Sequence, residues 1–243
     1  AGIEAAQGLL PSVPHVAVFD TAFHADLPDE AFTYAVPHEL YLQQGVRRYG
    51  FHGPSHQYMT LSAAEHLGAD VARLRLVTCH LGGGCSVSAV DGGVSVDTSM
   101  GMTPLEGLVM GTRSGDVDPA LPLLLARQGM TTDAIDVLLN RQSGLAGLSG
   151  VAGGDYRDIE RAAEGGDRRA RLTVEVFTRR VKKYVGAYAA LLGGVDAIVF
   201  TGGIGENSAS VRAAVCEGMV YMGVSLDPAR NADPAAHARA GVA

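Results

Sequence analysis

Hydrophobic residues occur along this chain in two patterns: short, nearly continuous runs, and longer stretches with helical spacing. Short apolar runs bounded by glycine or proline are typical of buried strands. Such runs occupy residues 13–19, 76–79, 85–90, 94–98 and 197–201. Helical spacing is found at residues 3–10, 55–67, 119–128, 132–140, 155–163, 167–192 and 208–218, with shorter helical or turn segments at 30–44. The pattern predicts a mixed α/β protein.

Glycine separates several of these elements. Three consecutive glycines at 82–84 join two of the predicted strands, and the Asp-Gly-Gly sequence at 91–93 predicts a tight turn to the next. Residues 75–98 are therefore expected to form an antiparallel meander. Residues 99–119 and 143–154 are too rich in glycine or proline for one regular element and are predicted to be loops.

Composition limits the class of protein. Hydrophobic residues make up 47% of the 243 residues and charged residues 19%, so a sizeable core is expected. The formal net charge of −7 argues against nucleic acid or an anionic membrane as the main partner. The three cysteines have neither disulfide nor metal-ligand spacing, which favours a protein of the reducing cytoplasm, and no metal-ligating residues are predicted from them. No run is long enough to span a bilayer.

Three side chains are candidates for chemistry. Asp20 directly follows the first predicted strand, where a carboxylate could serve a metal or a proton, or simply cap a turn. His52 precedes Gly53-Pro54 at the start of a predicted helix, a position that favours anions and argues against a metal pair with His56. Arg113 could bind a phosphate or carboxylate bidentately, or pair with a nearby aspartate.

A strand, glycine and helix sequence also occurs near the end of the chain. The apolar run 197–201 is followed by Gly202-Gly203-Ile204-Gly205 and then a predicted helix. Glycines let the backbone approach a ligand, and the first turn of a helix offers free N–H donors. The sequence has no Walker A motif, so the type of ligand is left open.

Six segments, in this order, resemble the acetate kinase family within the acetate and sugar kinase/Hsp70/actin superfamily. They are VFDTAFH at 18–24, RRYGFHG at 47–53, TCHLG at 78–82, DTSMGMTPLEG at 97–107, MGTRSGDVDP at 110–119 and TGGIGENS at 201–208. The resemblance implies an α/β, ribonuclease H-like (actin/Hsp70-type ATPase) domain with a mixed central sheet flanked by helices. It also implies Mg²⁺-dependent phosphoryl transfer between ATP and acetate, giving ADP and acetyl phosphate.

The resemblance also implies roles for particular residues. Asp20 takes the position of the catalytic carboxylate, and His52 and Arg113 those of transition-state stabilisers. Phe51 and Pro104 match positions that line the acetate methyl pocket. The nucleotide would be bound by residues of three segments: His80, Leu81, Gly82, Gly83 and Gly84; Asp155, Tyr156 and Arg157; and Gly203, Ile204, Gly205, Glu206 and Asn207.

The family pattern is incomplete in this chain. Gly83 stands where the family usually has asparagine. The family's amino-terminal phosphate loop and a carboxyl-terminal glutamate on the metal side are not matched. We therefore expect residues 1–21 to be the remnant of a first domain with a hinge strand, and residues 22–243 to be the nucleotide-binding second domain.

The polypeptide is expected to have little turnover by itself, and the family resemblance implies a homodimer. A non-catalytic nucleotide-binding module and a propionate kinase remain as alternatives.

Overall fold

A mixed four-stranded sheet forms the centre of the molecule in this computed structural model, which describes residues 2–233. The strands are β1 (Arg75–Leu81), β2 (Cys85–Asp91), β3 (Val94–Thr98) and β4 (Ala197–Thr201). Their order in the sheet is β3-β2-β1-β4. β1 pairs antiparallel with β2 and parallel with β4, so the predicted meander is confirmed. The crossover from β3 to β4 contains several helices, including the longest of the described residues, Arg168–Leu191.

Twelve α-helices occur among the described residues. They are α1 (Gly2–Leu9), α2 (Asp29–Phe32), α3 (Glu39–Gln44), α4 (Gly53–Leu67), α5 (Ala120–Arg127), α6 (Thr132–Arg141), α7 (Gly144–Ser149), α8 (Tyr156–Glu164), α9 (Arg168–Leu191), α10 (Gly202–Asn207), α11 (Ala209–Cys216) and α12 (Pro228–Ala232). None of these is long and apolar enough to cross a bilayer.

The two faces of the sheet differ in chemistry because side chains alternate along each strand. On one face, Val77 and Cys79 of β1 and Val87 of β2 are fully buried in the main core, which α9 completes with Phe177 and Val181. On β1 and β2 this face is apolar, while β3 adds Asp97, which the Tyr188 hydroxyl of α9 contacts at 3.5 Å. This face therefore supplies most of the hydrophobic stabilisation of the sheet.

The opposite face is covered by α4 and is apolar only at one end. There, Leu76 and Val90 pack with Ala63 and Ala64 of the helix. Towards the β1–β2 turn, the same face carries buried polar side chains. They are Thr78, Ser86 and Ser88 on the strands, with His56 on the helix. The fold thus places a buried polar cluster beside the glycine turn.

The structure differs from the sequence-based prediction in its first strand. Residues 13–19 belong to no helix or strand, and Val16, Val18 and Phe19 are 84%, 75% and 69% exposed. A strand needs a hydrogen-bonded neighbour, and none of the described strands lies beside this segment. The strand prediction is therefore wrong for the described structure, although α1 forms close to where it was expected.

Two glycine-rich segments also turned out to be helical. Residues 143–154 contain α7 and a 3₁₀ turn at Ala152–Gly154 instead of an irregular loop. Gly202 turns the chain directly from β4 into α10 at φ +78°, so residues 202–205 are helical as well. At Gly202 a Cβ would lie 2.7 Å from the carbonyl oxygen of Leu81, so only glycine permits this close turn.

The remaining elements follow the prediction closely. α4 ends at Gly68 in the left-handed conformation, and Thr131 caps α6 by accepting a hydrogen bond from the Ala134 N–H. α9 matches the predicted long helix. The division into residues 1–21 and 22–243 stays a prediction, and Ala1 and residues 234–243 lie outside the described part of the chain.

Candidate functional site

Asp20 and His52 meet at the start of α4. Oδ2 of Asp20 accepts a hydrogen bond from the backbone N–H of His52 at 3.0 Å, and the Asp20 carbonyl accepts one from the Gly53 N–H at 2.7 Å. Asp20 thus bonds to the chain entering α4, 32 residues away, and not, within the described residues, to its own turn. Its carboxylate is nevertheless exposed beside the first turn of a 15-residue helix, where a positive partial charge stabilises anions.

His52 adopts a left-handed backbone conformation, with φ +59° and ψ +24°. It is the sole non-glycine residue with positive φ among the described residues. Such a conformation costs about 1–2 kcal/mol for an L-amino acid. The surrounding contacts, including both hydrogen bonds to Asp20, offset this cost and aim the imidazole at the β1–β2 turn.

The His52 ring is held on two sides. Its Nδ1 is hydrogen-bonded to Ser86 Oγ at 2.8 Å. Its face stacks on the His80 ring, with 4.2 Å between ring centroids. His80 is itself hydrogen-bonded through Nδ1 to Ser55 Oγ at 2.8 Å. The Nε2 atom of His52 is left facing the glycine turn.

Burial governs the charge of these histidines. The pKa of His52 is lowered to about 4, chiefly by burial; the neighbouring His80 and Arg113 contribute to the shift and Asp20 opposes it. Burial also lowers the pKa of His80, and that of fully buried His56 lies well below its usual value. At neutral pH these imidazoles are neutral. His52 can therefore donate or accept a hydrogen bond, and the positive charge in this region comes from Arg113.

Arg113 and His52 converge on Gly84. A Cβ at Gly84 would lie 3.1 Å from Nε2 of His52 and 3.3 Å from Nη2 of Arg113. The other guanidinium nitrogen, Nη1, donates a hydrogen bond to the Pro104 carbonyl at 2.7 Å. No ion pair of Arg113 with Asp116 or Asp118 occurs within residues 2–233, so the surface-pair alternative for this residue is wrong.

The two residues expected to line a small pocket are both fixed through their carbonyl groups. Phe51 is partly buried against the core, and its carbonyl accepts a hydrogen bond from Nε2 of buried His24 at 3.1 Å. Pro104 is fixed by Arg113. His24 was not singled out from the sequence.

A salt-bridged cluster anchors the segment that carries Pro104. Arg48 pairs with Glu106 at 2.7 Å and donates to the carbonyls of Thr98 and Met100. Tyr34 also donates to Glu106. The cluster ties the loop after β3 to the chain that leads into α4.

The segment around Arg113 is anchored separately through Asp116. This carboxylate accepts hydrogen bonds from the Tyr184 hydroxyl and the Gly107 N–H and pairs with Arg180. Tyr184 and Arg180 belong to α9, which is distant in sequence, and Gly107 lies nine residues earlier in the same loop. The loop 99–119 is therefore irregular but well anchored.

Glycine backbones from four segments lie next to each other beside the β1–β2 turn. The Gly111 N–H donates to the Gly83 carbonyl at 3.0 Å, and a Cβ at Gly111 would lie 3.5 Å from the Gly153 carbonyl oxygen. On the other side, a Cβ at Gly82 would lie 3.9 Å from the Gly203 nitrogen. A surface of bare backbone like this one suits a phosphate chain, which needs N–H donors and close approach.

The expected nucleotide-binding segments differ in what their side chains do. Asp155 and Arg157 form an exposed ion pair at 2.6 Å that follows the Ala152–Gly154 turn. In contrast, Tyr156 packs into the core against Phe177, and Leu81 is fully buried. For these two residues, the predicted contact with a nucleotide falls to the backbone.

The segment after β4 is held by its own side chains. Oε1 of Glu206 accepts hydrogen bonds from the Thr201 hydroxyl and the Gly202 N–H, and Nδ2 of Asn207 donates to the Gly203 carbonyl. Gly205 is buried and Ile204 packs against the core. Glu206 and Asn207 therefore rigidify the turn next to Gly82.

Residues 2–233 contain no group of three histidine, cysteine or carboxylate side chains that could hold a metal ion. Mg²⁺ in phosphoryl-transfer sites is commonly bound by one or two carboxylates with substrate phosphates and water completing the shell. Asp20, an exposed carboxylate that acts electrostatically on His80 beside the glycine surface, fits such a binding mode.

Comparison with known proteins identifies the family. The model of the acetokinase family matches residues 1–242. The chain is 54% identical to an acetate kinase of Clostridioides difficile and 56% identical to one of Heliobacterium modesticaldum, in each case over 95% of this chain and 58% of the relative. It thus spans somewhat more than half the length of the curated relatives it matches.

Solved structures agree with this result. A crystal structure of Porphyromonas gingivalis acetate kinase superposes with a TM-score of 0.90 at 48% identity, covering 95% of this chain and 58% of that one. A propionate kinase from Francisella tularensis superposes equally well at 43% identity, covering 95% and 59%. These neighbours confirm the expected actin/Hsp70-type fold class. With the motifs, the fold and the family model in agreement along the described chain, this protein is a member of the acetokinase family.

Proposed function

We propose that the full-length protein carrying this chain is an acetate kinase, which transfers a phosphoryl group reversibly between ATP and acetate. The observation that carries the proposal is the convergence of His52 Nε2 and the Arg113 guanidinium on Gly84, beside exposed Asp20. Phosphoryl transfer depends on in-line positioning and on stabilisation of charge at the phosphoryl oxygens. A cation, a neutral N–H donor and a carboxylate are suited to that work.

Each of these groups has its own task in the proposed reaction. Arg113 binds and neutralises the oxygens of the phosphoryl group during transfer. His52 donates a hydrogen bond to the same group, and the bare backbone at residues 82–84 holds the nucleotide phosphates. Asp20 orients the attacking acetate or holds Mg²⁺. When bound, Mg²⁺ would neutralise the charge on the nucleotide phosphates.

Acetate is the proposed acceptor, lying with its methyl group between Phe51 and Pro104. Propionate is the second candidate, since one of the superposed structures is a propionate kinase. One methylene in an apolar pocket is worth only about 1–3 kcal/mol. The ratio of kcat/KM for acetate, propionate and butyrate separates these possibilities, and we expect the order acetate, propionate, butyrate.

The test of the proposed function is acetate-dependent formation of ADP from ATP by the full-length gene product in a coupled assay. ATP binding without acetate-dependent turnover would instead identify a non-catalytic nucleotide-binding module. We expect the 243-residue polypeptide alone to turn over little, because Asp20 and the segment before it are open to solvent. Turnover at the full-length rate would contradict that expectation.

We further propose that the protein is cytoplasmic and homodimeric, with residues 22–243 as its nucleotide-binding domain. Exposed apolar side chains on α5, Leu123 and Leu124, are available for burial in an interface. Light scattering from the purified full-length protein would give twice the chain mass if this is so.

Replacing Gly84 with alanine is expected to lower kcat about tenfold or more. The new methyl group would press on both His52 Nε2 and Arg113 Nη2, and small displacements of catalytic groups are costly. Gly83→Ala is the matched comparison in the same turn, since a Cβ there would have no atom within 4 Å. Steady-state kinetics should show a clearly smaller loss for Gly83→Ala; equal losses would argue against a steric effect on the two side chains.

A further inference from the structure

A chain of hydrogen bonds leads from the interior of the sheet to His52. Oγ1 of Thr78 is hydrogen-bonded to Nδ1 of His56 at 2.7 Å, and Nε2 of His56 to Ser86 Oγ at 2.7 Å. Ser86 Oγ is in turn hydrogen-bonded to Nδ1 of His52 at 2.8 Å. Thr78, His56 and Ser86 are all fully buried, at 1% exposure or less.

The direction of these hydrogen bonds determines which nitrogen of His52 carries its proton. A neutral imidazole has one N–H donor and one acceptor nitrogen. If Thr78 donates to His56, then His56 donates to Ser86, Ser86 donates to Nδ1 of His52, and the His52 proton lies on Nε2. In the reverse direction, His52 carries its proton on Nδ1 and presents a lone pair at Nε2.

Thr78 decides between the two directions. Within the described residues its hydroxyl has no hydrogen bond except the one to His56. In the reverse direction His56 would donate to Thr78, and the buried Thr78 O–H would have no acceptor. A third arrangement, in which both histidines donate to Ser86, leaves the Ser86 O–H without an acceptor. A buried donor without a partner is disfavoured by roughly tenfold or more, whereas the first direction satisfies every group.

We propose that Thr78, His56 and Ser86 form a directed relay that fixes His52 as the Nε2–H tautomer, so that it donates a hydrogen bond at Gly84. These three are positioning residues, since they act through His52. The tautomer follows from the fold alone. Its use, donation to the transferring phosphoryl group, rests on the proposed function.

The alternative tautomer would work against the proposed reaction. A lone pair at Nε2 would face the oxygens of the phosphoryl group, and two acceptors repel each other. Burial keeps His52 neutral, so the ring cannot escape this conflict simply by carrying both protons. The low pKa leaves His52 with a single N–H group but does not determine which ring nitrogen carries it. The relay determines this, because it places the proton on Nε2.

Nitrogen-15 NMR of the full-length protein labelled at histidine tests the relay directly. The His52 and His56 signals are assigned by their loss in His52→Gln and His56→Gln variants. In the unsubstituted protein at pH 7, we expect both rings to carry the proton on Nε2 and to accept a hydrogen bond at Nδ1. A His52 proton on Nδ1 would overturn the proposal without any variant having to fold.

Ser86→Ala removes the link between the two rings. We expect the His52 Nδ1 signal to shift towards that of a free acceptor nitrogen, the Nδ1–H form to become detectable, and kcat to fall about tenfold with little change in KM for ATP. Ser88→Ala is the matched control, because Ser88 is the next serine on the same face of β2 and contacts Ser95 instead of His52. Its His52 spectrum should be unchanged.

The spectrum separates the relay from the proposed function. An unchanged His52 spectrum in Ser86→Ala would overturn the relay even if the protein is an acetate kinase. The expected tautomers in a protein without acetate-dependent turnover would overturn the proposed function and leave the relay standing.

Discussion

In the full-length protein, replacing Arg113 with alanine should lower kcat for the proposed acetate phosphorylation about 10³-fold, while the KM for ATP changes far less. Arg113 supplies the positive charge beside Gly84, because burial keeps His52 neutral. Removing a preorganised donor or an arginine from a phosphoryl-transfer site costs about 10²- to 10⁵-fold in rate. The loss appears in kcat because this charge is most needed when the phosphoryl group is in transit.

The kcat values of two further variants, His52→Ala and Arg113→Lys, should fall between those of Arg113→Ala and the unsubstituted enzyme. His52→Ala should cost less than Arg113→Ala, because it removes one neutral donor and leaves the N–H groups at the start of α4. Arg113→Lys keeps the charge but has one nitrogen in place of the separate Nη1 and Nη2 that reach Pro104 and Gly84, so its kcat should lie between those of Arg113→Ala and the unsubstituted enzyme. An Arg113→Ala enzyme with unchanged kcat would rule out a transition-state role.

The elements predicted well from sequence are those whose partners are local. The meander needs only its two turns and three apolar runs, and both turns carry glycine. Helices α4 and α9 have helical spacing along their length. Residues 13–19 have an equally apolar pattern and form no strand, since apolar character alone does not provide a neighbour to pair with.

Glycine was the main source of error in the helical regions. Gly144 opens α7 at φ +62°, where a Cβ would lie 2.2 Å from the Met110 carbonyl oxygen. Glycine there serves close packing of a helix on the core and not an irregular loop. Low intrinsic helix propensity is readily overridden by such tertiary packing.

The sequence singled out three side chains of the candidate site and missed the serine that binds one of them. Asp20, His52 and Arg113 were recognised because their motifs are distinctive, and the structure brings them together. Ser86 was not, because a serine alternating with apolar residues is typical of a strand face turned to solvent. Only the packing of α4 on that face reveals Ser86 as a buried partner of His52.

Arg48 was also missed as an anchor, and its replacement by methionine should lower the free energy of unfolding by about 3 kcal/mol. The Arg48 side chain is 17% exposed, and its guanidinium binds Glu106 and the carbonyls of Thr98 and Met100. Removing one partner of a largely buried ion pair leaves the other charge uncompensated, which typically costs about 3–5 kcal/mol. Urea unfolding of the full-length protein measures the change.

The double variant Arg48→Met, Glu106→Gln shows whether the uncompensated carboxylate is the cause. Removing both charges should restore part of the lost stability, so the two effects should not add. Arg47→Met is the matched control, since Arg47 lies over the Phe32 ring and forms no ion pair in the described structure; it should cost about 1 kcal/mol or less. Equal losses for Arg47→Met and Arg48→Met would contradict the prediction.

The same substitution connects stability to catalysis. Glu106 lies two residues after Pro104, whose carbonyl accepts a hydrogen bond from Arg113. If Arg48 and Glu106 hold that loop in place, Arg48→Met should lower kcat at temperatures where the protein is still folded. The double variant Arg48→Met, Arg113→Ala tests whether Arg48 affects kcat through Pro104 and Arg113. Once Arg113 is absent, adding Arg48→Met should reduce kcat much less than Arg48→Met does in the unsubstituted protein. A full additional loss would show that Arg48 affects turnover by some path other than Pro104 and Arg113.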